Sequence, residues 1–150
     1  MCILLLYYAS STACPSGYEF IDGSCFEMGK GKKTFQKATE ACQQKDGFLA
    51  EPRLDEISLA IMSINSTELM TDGHLWIGLK DNTGDKTFVW QKDNAKLSYT
   101  DYTDWSDGQP EYDDESQACV ALDKTDFRWE DAKCQSTNEY VCETDKRELI

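Results

Sequence analysis

Two periodicities divide the chain. Around residues 34–47 the apolar positions Phe35, Ala38, Ala41 and Cys42 recur at three- and four-residue spacing, which predicts a helix with one buried face, capped by Thr34 and stopped at Gly47. Ile57, Ala60, Ile61 and Ile64 repeat that spacing and predict a second short helix over 54–64, entered through Pro52-Arg53. Elsewhere the pattern is that of strands. Tyr18-Glu19-Phe20-Ile21 and Ser24-Cys25-Phe26-Glu27 flank the turn dipeptide Asp22-Gly23, the signature of a hairpin. From Leu75 onward short apolar, aromatic-rich runs alternate with Gly, Asn and Asp. They are Leu75-Trp76-Ile77-Gly78-Leu79, Phe88-Val89-Trp90, Cys119-Val120-Ala121-Leu122, Phe127-Arg128-Trp129 and Tyr140-Val141-Cys142, all read as strands. Trp76, Trp90, Trp105 and Trp129 lie in or beside these runs and are expected in the core. Between them, residues 97–118 form a polar stretch without periodicity, longer than ordinary connections and of the length that functional loops reach. Residues 144–150 read as a frayed tail.

Length and charge narrow the picture. A chain of 150 residues can bury one good core and not two. With 28 acidic against 15 basic side chains and a net charge of -13, it would repel a phosphate backbone, so nucleic acid and anionic membranes are not expected partners. Residues 1–13 hold the apolar run Cys2-Ile3-Leu4-Leu5-Leu6-Tyr7-Tyr8-Ala9 followed by small residues. The run is too short to span a bilayer and reads as a signal peptide cleaved before Cys14, although no Lys or Arg precedes it. Its removal leaves Cys14, Cys25, Cys42, Cys119, Cys134 and Cys142, an even set that implies disulfides in a secreted protein, with about 15 pairings open. No close pair has CxxC spacing, so with His74 as the one histidine no zinc site is expected. Asn65-Ser66-Thr67 is a glycosylation sequon.

These landmarks together resemble the long form of the C-type lectin domain, over residues 14–143. The resemblance is carried by Cys42 in the first helix, Leu49-Ala50 with Pro52-Arg53, Trp76-Ile77-Gly78-Leu79, Trp105, Gln109-Pro110-Glu111, Cys119-Val120, Trp129-Glu130-Asp131, Cys134 and Val141-Cys142-Glu143. It implies an α+β fold in which two helices flank small antiparallel sheets beneath a long calcium- and ligand-binding loop. It also implies the disulfides Cys14–Cys25, Cys42–Cys142 and Cys119–Cys134, and a cis peptide before Pro110.

Calcium takes six to eight oxygen ligands. By resemblance, position by position, one calcium ion would be held by Gln109, Glu111, Gln117, Glu130 and Asp131: three carboxylates and two amides. Glu111 and Glu130 are longer than the family's usual residues, and Gln117 stands where a Glu is usual. Amide and carboxylate have thus exchanged places on both sides of the ion, in the pairs Gln109 with Glu111 and Gln117 with Glu130. Each sugar hydroxyl needs one acceptor and one donor beside the metal, and both galactose-type and mannose-type recognition stay open. Tyr112 is a candidate for stacking on a sugar face or an ordinary surface tyrosine. The expected function is calcium-dependent binding of glycans or glycoproteins by a secreted lectin, the alternative being calcium-independent recognition of a protein or other surface ligand. Catalysis is not expected, since no nucleophile elbow or glycine-rich phosphate loop is present.

Overall fold

The computed structural model describes residues 12–65, 72–112 and 118–149. Asp22 and Gly23 both take positive φ, 47° and 91°, the conformation a tight two-residue hairpin demands. They join β2 (Glu19–Ile21) to β3 (Ser24–Met28). Helix α1 (Phe35–Gln43) follows, with Thr34 as its cap: the side chain accepts the Lys37 N–H. Phe35, Ala38 and Cys42 form its buried face. After β4 (Phe48–Leu49) comes α2 (Asp55–Asn65), with Asp55 and Glu56 in its first turn, where acids suit the helix dipole.

The remaining strands are β5 (His74–Lys80), β6 (Val89–Trp90), β7 (Cys119–Asp123), β8 (Trp129–Ala132) and β9 (Glu139–Thr144). They join one eight-stranded sheet in the order β2-β3-β9-β5-β7-β8, with β4 on β9 and β6 on β5. One pairing departs from the antiparallel expectation: β5 and β9 run parallel, Leu75 opposite Glu139 and Trp76 opposite Tyr140. The expected strand at 127–129 begins at Trp129 instead, because Phe127 turns into positive φ, 60°. The presumed tail also differs from expectation. Glu148–Leu149 forms β10 and pairs antiparallel with β1 (Thr12–Ala13).

Both faces of the central strands are covered, which explains why they read as continuous apolar runs. Leu75, Ile77, Leu79, Val120, Leu122 and Val141 face one cluster, shared with Ala60 and Ile61 of α2. Trp76, Ala121, Tyr140 and Cys142 face the other, beneath Phe35, Ala38 and Cys42 of α1. At Gly78 the backbone of β5 runs close against the Leu49-Ala50 segment. The Gly78 N–H donates to the Ala50 carbonyl at 2.9 Å, and a Cβ there would lie 2.7 Å from the Leu49 carbonyl oxygen.

Three disulfides complete the frame: Cys14–Cys25, Cys42–Cys142 and Cys119–Cys134. These are the pairs the family resemblance implied. The second ties α1 to β9 across 100 residues of sequence.

Candidate functional site

The long polar stretch is fastened to the sheet by aromatic rings. Trp105 packs edge-on against Trp129 at 5.4 Å and at a tilt against Phe88 at 5.2 Å, while Tyr102 meets Trp129 edge-on at 6.0 Å. Backbone bonds reinforce this: Trp129 N–H donates to Asp104 O, and Ser106 N–H to Trp129 O. The chain is thereby led past the end of β8, turns through Gly108 at φ 79° and reaches the cis peptide Gln109–Pro110. Trp76, Trp90 and Trp129 are buried and Trp105 half-buried, in keeping with their expected place in the core.

Beyond that peptide, Gln109, Glu111 and Asp131 meet. Asp131, almost fully buried, accepts the Glu111 N–H at 3.0 Å on one carboxylate oxygen and the Tyr112 N–H at 2.9 Å on the other. The Gln109 amide oxygen accepts the Asp131 N–H at 3.3 Å, and the Gln109 amide nitrogen donates to Glu111 Oε1 at 2.8 Å. Two carboxylates and one amide carbonyl thus lie at the rim of the loop, with Glu111 exposed. The acceptors are all oxygens, and no imidazole or thiol is among them. That donor chemistry fits a hard cation such as calcium.

Tyr112, at φ 53°, packs one face of its ring on Phe88 at 5.6 Å, and Lys86 Nζ sits 5.3 Å from the ring centre. Burial, then the charges of Asp131 and Asp81, push its phenol above the ordinary tyrosine value. A groove of about 330 Å³, lined in part by Lys86, Phe88, Tyr99, Trp105 and Tyr112, opens beside it. Gln117 lies outside the described residues, as do Ser66 and Thr67 of the sequon. Asn65 is the last residue of α2.

Glu130 is placed elsewhere. β8 pairs regularly with β7, Ala121 opposite Glu130 and Val120 opposite Asp131, and in a regular strand consecutive side chains leave on opposite faces. Asp131 therefore turns to the loop, while Glu130 turns to the face of Trp76 and Ala121. There its Oε2 lies 3.1 Å from His74 Nε2. Asp123, opposite His74 in the β5–β7 ladder, completes a group whose ligand atoms all fall within 4.8 Å of one another. Burial raises the Asp123 carboxyl, but the two Thr125 donors at 2.7 and 2.8 Å, helped by His74 and Glu130, hold it below the ordinary value. Sequence reasoning named neither His74 nor Asp123 for this role. The signal that could have found them is the period-two alternation of Trp129-Glu130-Asp131, once the strand register is known.

An aromatic-pinned loop presenting oxygen acceptors over a disulfide-braced mixed sheet is the build of a recognition domain. The chain belongs to the C-type lectin domain family: the family pattern "Lectin C-type domain" matches residues 31–144. Among curated proteins it is 30% identical over 139 residues to the secretory phospholipase A2 receptor of Pongo abelii, covering 91% of this chain and 9% of the receptor. It is 29% identical to a C-type lectin mannose-binding isoform of Notechis scutatus scutatus, covering 90% of this chain and 85% of that protein. Among solved structures it superposes on the cow C-type carbohydrate-recognition domain of CD23, determined in the presence of a GlcNAc2Man3 oligosaccharide, with TM-score 0.75 and 26% identity. That match covers 93% of this chain and 98% of the other. Family and fold are those of binding domains. Among the described residues no helix is long and apolar enough to cross a membrane.

Proposed function

We propose that this domain binds carbohydrate through one calcium ion at the rim of the long loop, with Gln109, Glu111 and Asp131 as its ligands and Gln117 as a further one. The observation that carries this reading is the mutual hydrogen bonding of Gln109, Glu111 and Asp131, which gathers oxygen acceptors where the long loop meets β8. When bound, calcium supplies a coordination position for sugar hydroxyls. The protein's own part is to flank each hydroxyl with an acceptor and a donor, Glu111 and the Gln109 amide nitrogen on one side. Glu130, held on the other face of β8 by His74, stays outside this ligand set. The likeness to a mannose-binding snake lectin and to a carbohydrate-recognition domain solved with an oligosaccharide supports the reading.

Three disulfides suit an oxidising compartment, which supports a secreted domain with residues 1–13 as its leader and Asn65 as a glycan acceptor; Thr12 and Ala13 of that segment pair with β10 in the unprocessed chain. The test is retention on immobilised mannose and galactose. The reading requires retention in calcium and release by chelator, and a protein that passes unretained in both conditions contradicts it.

One observation favours a second reading, calcium-independent recognition of a protein. Both Asp131 oxygens already accept backbone N–H groups, which holds the loop without any ion. The likeness to a receptor for a secreted phospholipase points the same way. Ligand capture that persists undiminished in chelator is its distinguishing result.

A further inference from the structure

We propose that His74, Asp123 and Glu130 form a second metal site, separate from the loop, that takes a zinc-like divalent transition ion. The three residues come from three adjacent strands, β5, β7 and β8, and share one face of the sheet by register. Their ligand atoms lie within 4.8 Å of one another, and the His74 Nε2 to Glu130 Oε2 separation is 3.1 Å. Donors arranged tetrahedrally around zinc at about 2.0–2.2 Å are themselves roughly 3.4 Å apart. The His–Glu pair is therefore close to working separation already, with an Asp123 ligand atom within 4.8 Å of both.

The electrostatics ask for a cation. A divalent ion among the three side chains would take over from the His74–Glu130 hydrogen bond and neutralise two carboxylates at once. One imidazole and two carboxylates make a mixed nitrogen and oxygen set, which suits zinc and its neighbours better than calcium. Thr125 donates twice to Asp123 Oδ1, from its N–H and its hydroxyl, and so orients that carboxylate in the way outer partners orient metal ligands. The Cys119–Cys134 bridge fastens β7 to the segment just beyond β8. All three groups are half-buried, open enough to admit an ion and sheltered enough to hold it. With three protein donors, the fourth position is left to water or to a ligand.

The experiment uses the 150-residue chain carrying Cys2→Ser, so that the seventh cysteine adds no thiolate. Zinc is titrated by calorimetry while the imidazole proton signals are followed by NMR, and because His74 is the one histidine the assignment is unambiguous. The expected result is one equivalent of zinc bound, with the His74 signals shifted by zinc and unmoved by excess calcium. His74→Ala and Glu130→Gln should each weaken zinc binding by at least about tenfold, the lower range for loss of groups that support a metal. Glu111→Gln should leave zinc binding unchanged, whatever it does to calcium, so failure here and failure of the loop reading are told apart. Glu130→Gln is nearly isosteric and keeps the test valid if His74→Ala does not fold. Imidazole signals that ignore millimolar zinc, or zinc affinity unaltered in Glu130→Gln, overturn the proposal.

Discussion

The body of the domain and its long loop are held together by different forces. In the body, α1, β3, β4 and β9 are joined by apolar burial and covalent bonds: Cys25, Phe26, Cys42, Leu49, Val141 and Cys142 are all buried. In the loop, the described residues rely on aromatic edges and on side chains that accept backbone N–H groups, Asp131 foremost. The first kind of contact is insensitive to charge and sets whether the chain folds. The second kind depends on a few ionised groups and sets what the loop can present. Damage to the body should therefore appear as lost stability, and damage to the loop as lost binding.

The largest effect is expected from Cys42→Ser with Cys142→Ser. This bond closes 100 residues of sequence, for which loop entropy in the unfolded chain is worth about 4–5 kcal/mol. Denaturant unfolding should register a loss of that order.

A buried acid in the body gives the next effect, and of the opposite sign. Glu143 accepts the Glu51 N–H, and burial raises its carboxyl from 4.5 to about 7. The folded protein thus keeps a proton that the unfolded chain has released, so between about pH 4.5 and 7 the folded state binds more protons. Stability must fall as pH rises through that window and level off above it. Burial raises Glu51 too, in the same sense, against the opposing Lys92 N–H and Arg53. Glu143→Gln keeps an acceptor and removes the charge. It should raise stability at pH 8 by up to about 3 kcal/mol and flatten the decline, which thermal melts across the pH range would show.

In the loop, Asp131→Ala leaves the Glu111 and Tyr112 N–H groups without their acceptor, at a cost of roughly 1–3 kcal/mol. Here the contrast sharpens. The melting curve should shift modestly, while retention on a sugar matrix is abolished.

Much of the body was legible in the sequence. Helical spacing located α2 to within a residue and the start of α1, which ends at Gln43, short of the expected stop at Gly47; the Asp22-Gly23 turn located the first hairpin. Continuous apolar runs marked the doubly covered strands. What the sequence hid was pairing between distant segments. The parallel contact of β5 with β9 and the joining of Glu148–Leu149 to Thr12–Ala13 depend on long-range register, and local periodicity carries none.

The site shows the same division. Gln109, Glu111 and Asp131 were named through the family resemblance, and the structure brings these three side chains together. Glu130 beside Asp131 looked like a partner of the same ion, yet an unbroken ladder with β7 turns the two side chains apart. His74 and Asp123 gave no local signal, because their company with Glu130 arises only when three strands align.

The central claim is best tested by calorimetric titration of calcium into the wild-type chain and Glu111→Gln. Glu111 is exposed, so the substitution should change stability by less than about 0.5 kcal/mol. The account predicts one saturable calcium site in the wild-type loop, weakened at least tenfold in Glu111→Gln, as expected when about 1.4 kcal/mol or more of ligand interaction is lost. Equal calcium affinity in the two proteins, or no calcium heat in either, would contradict it.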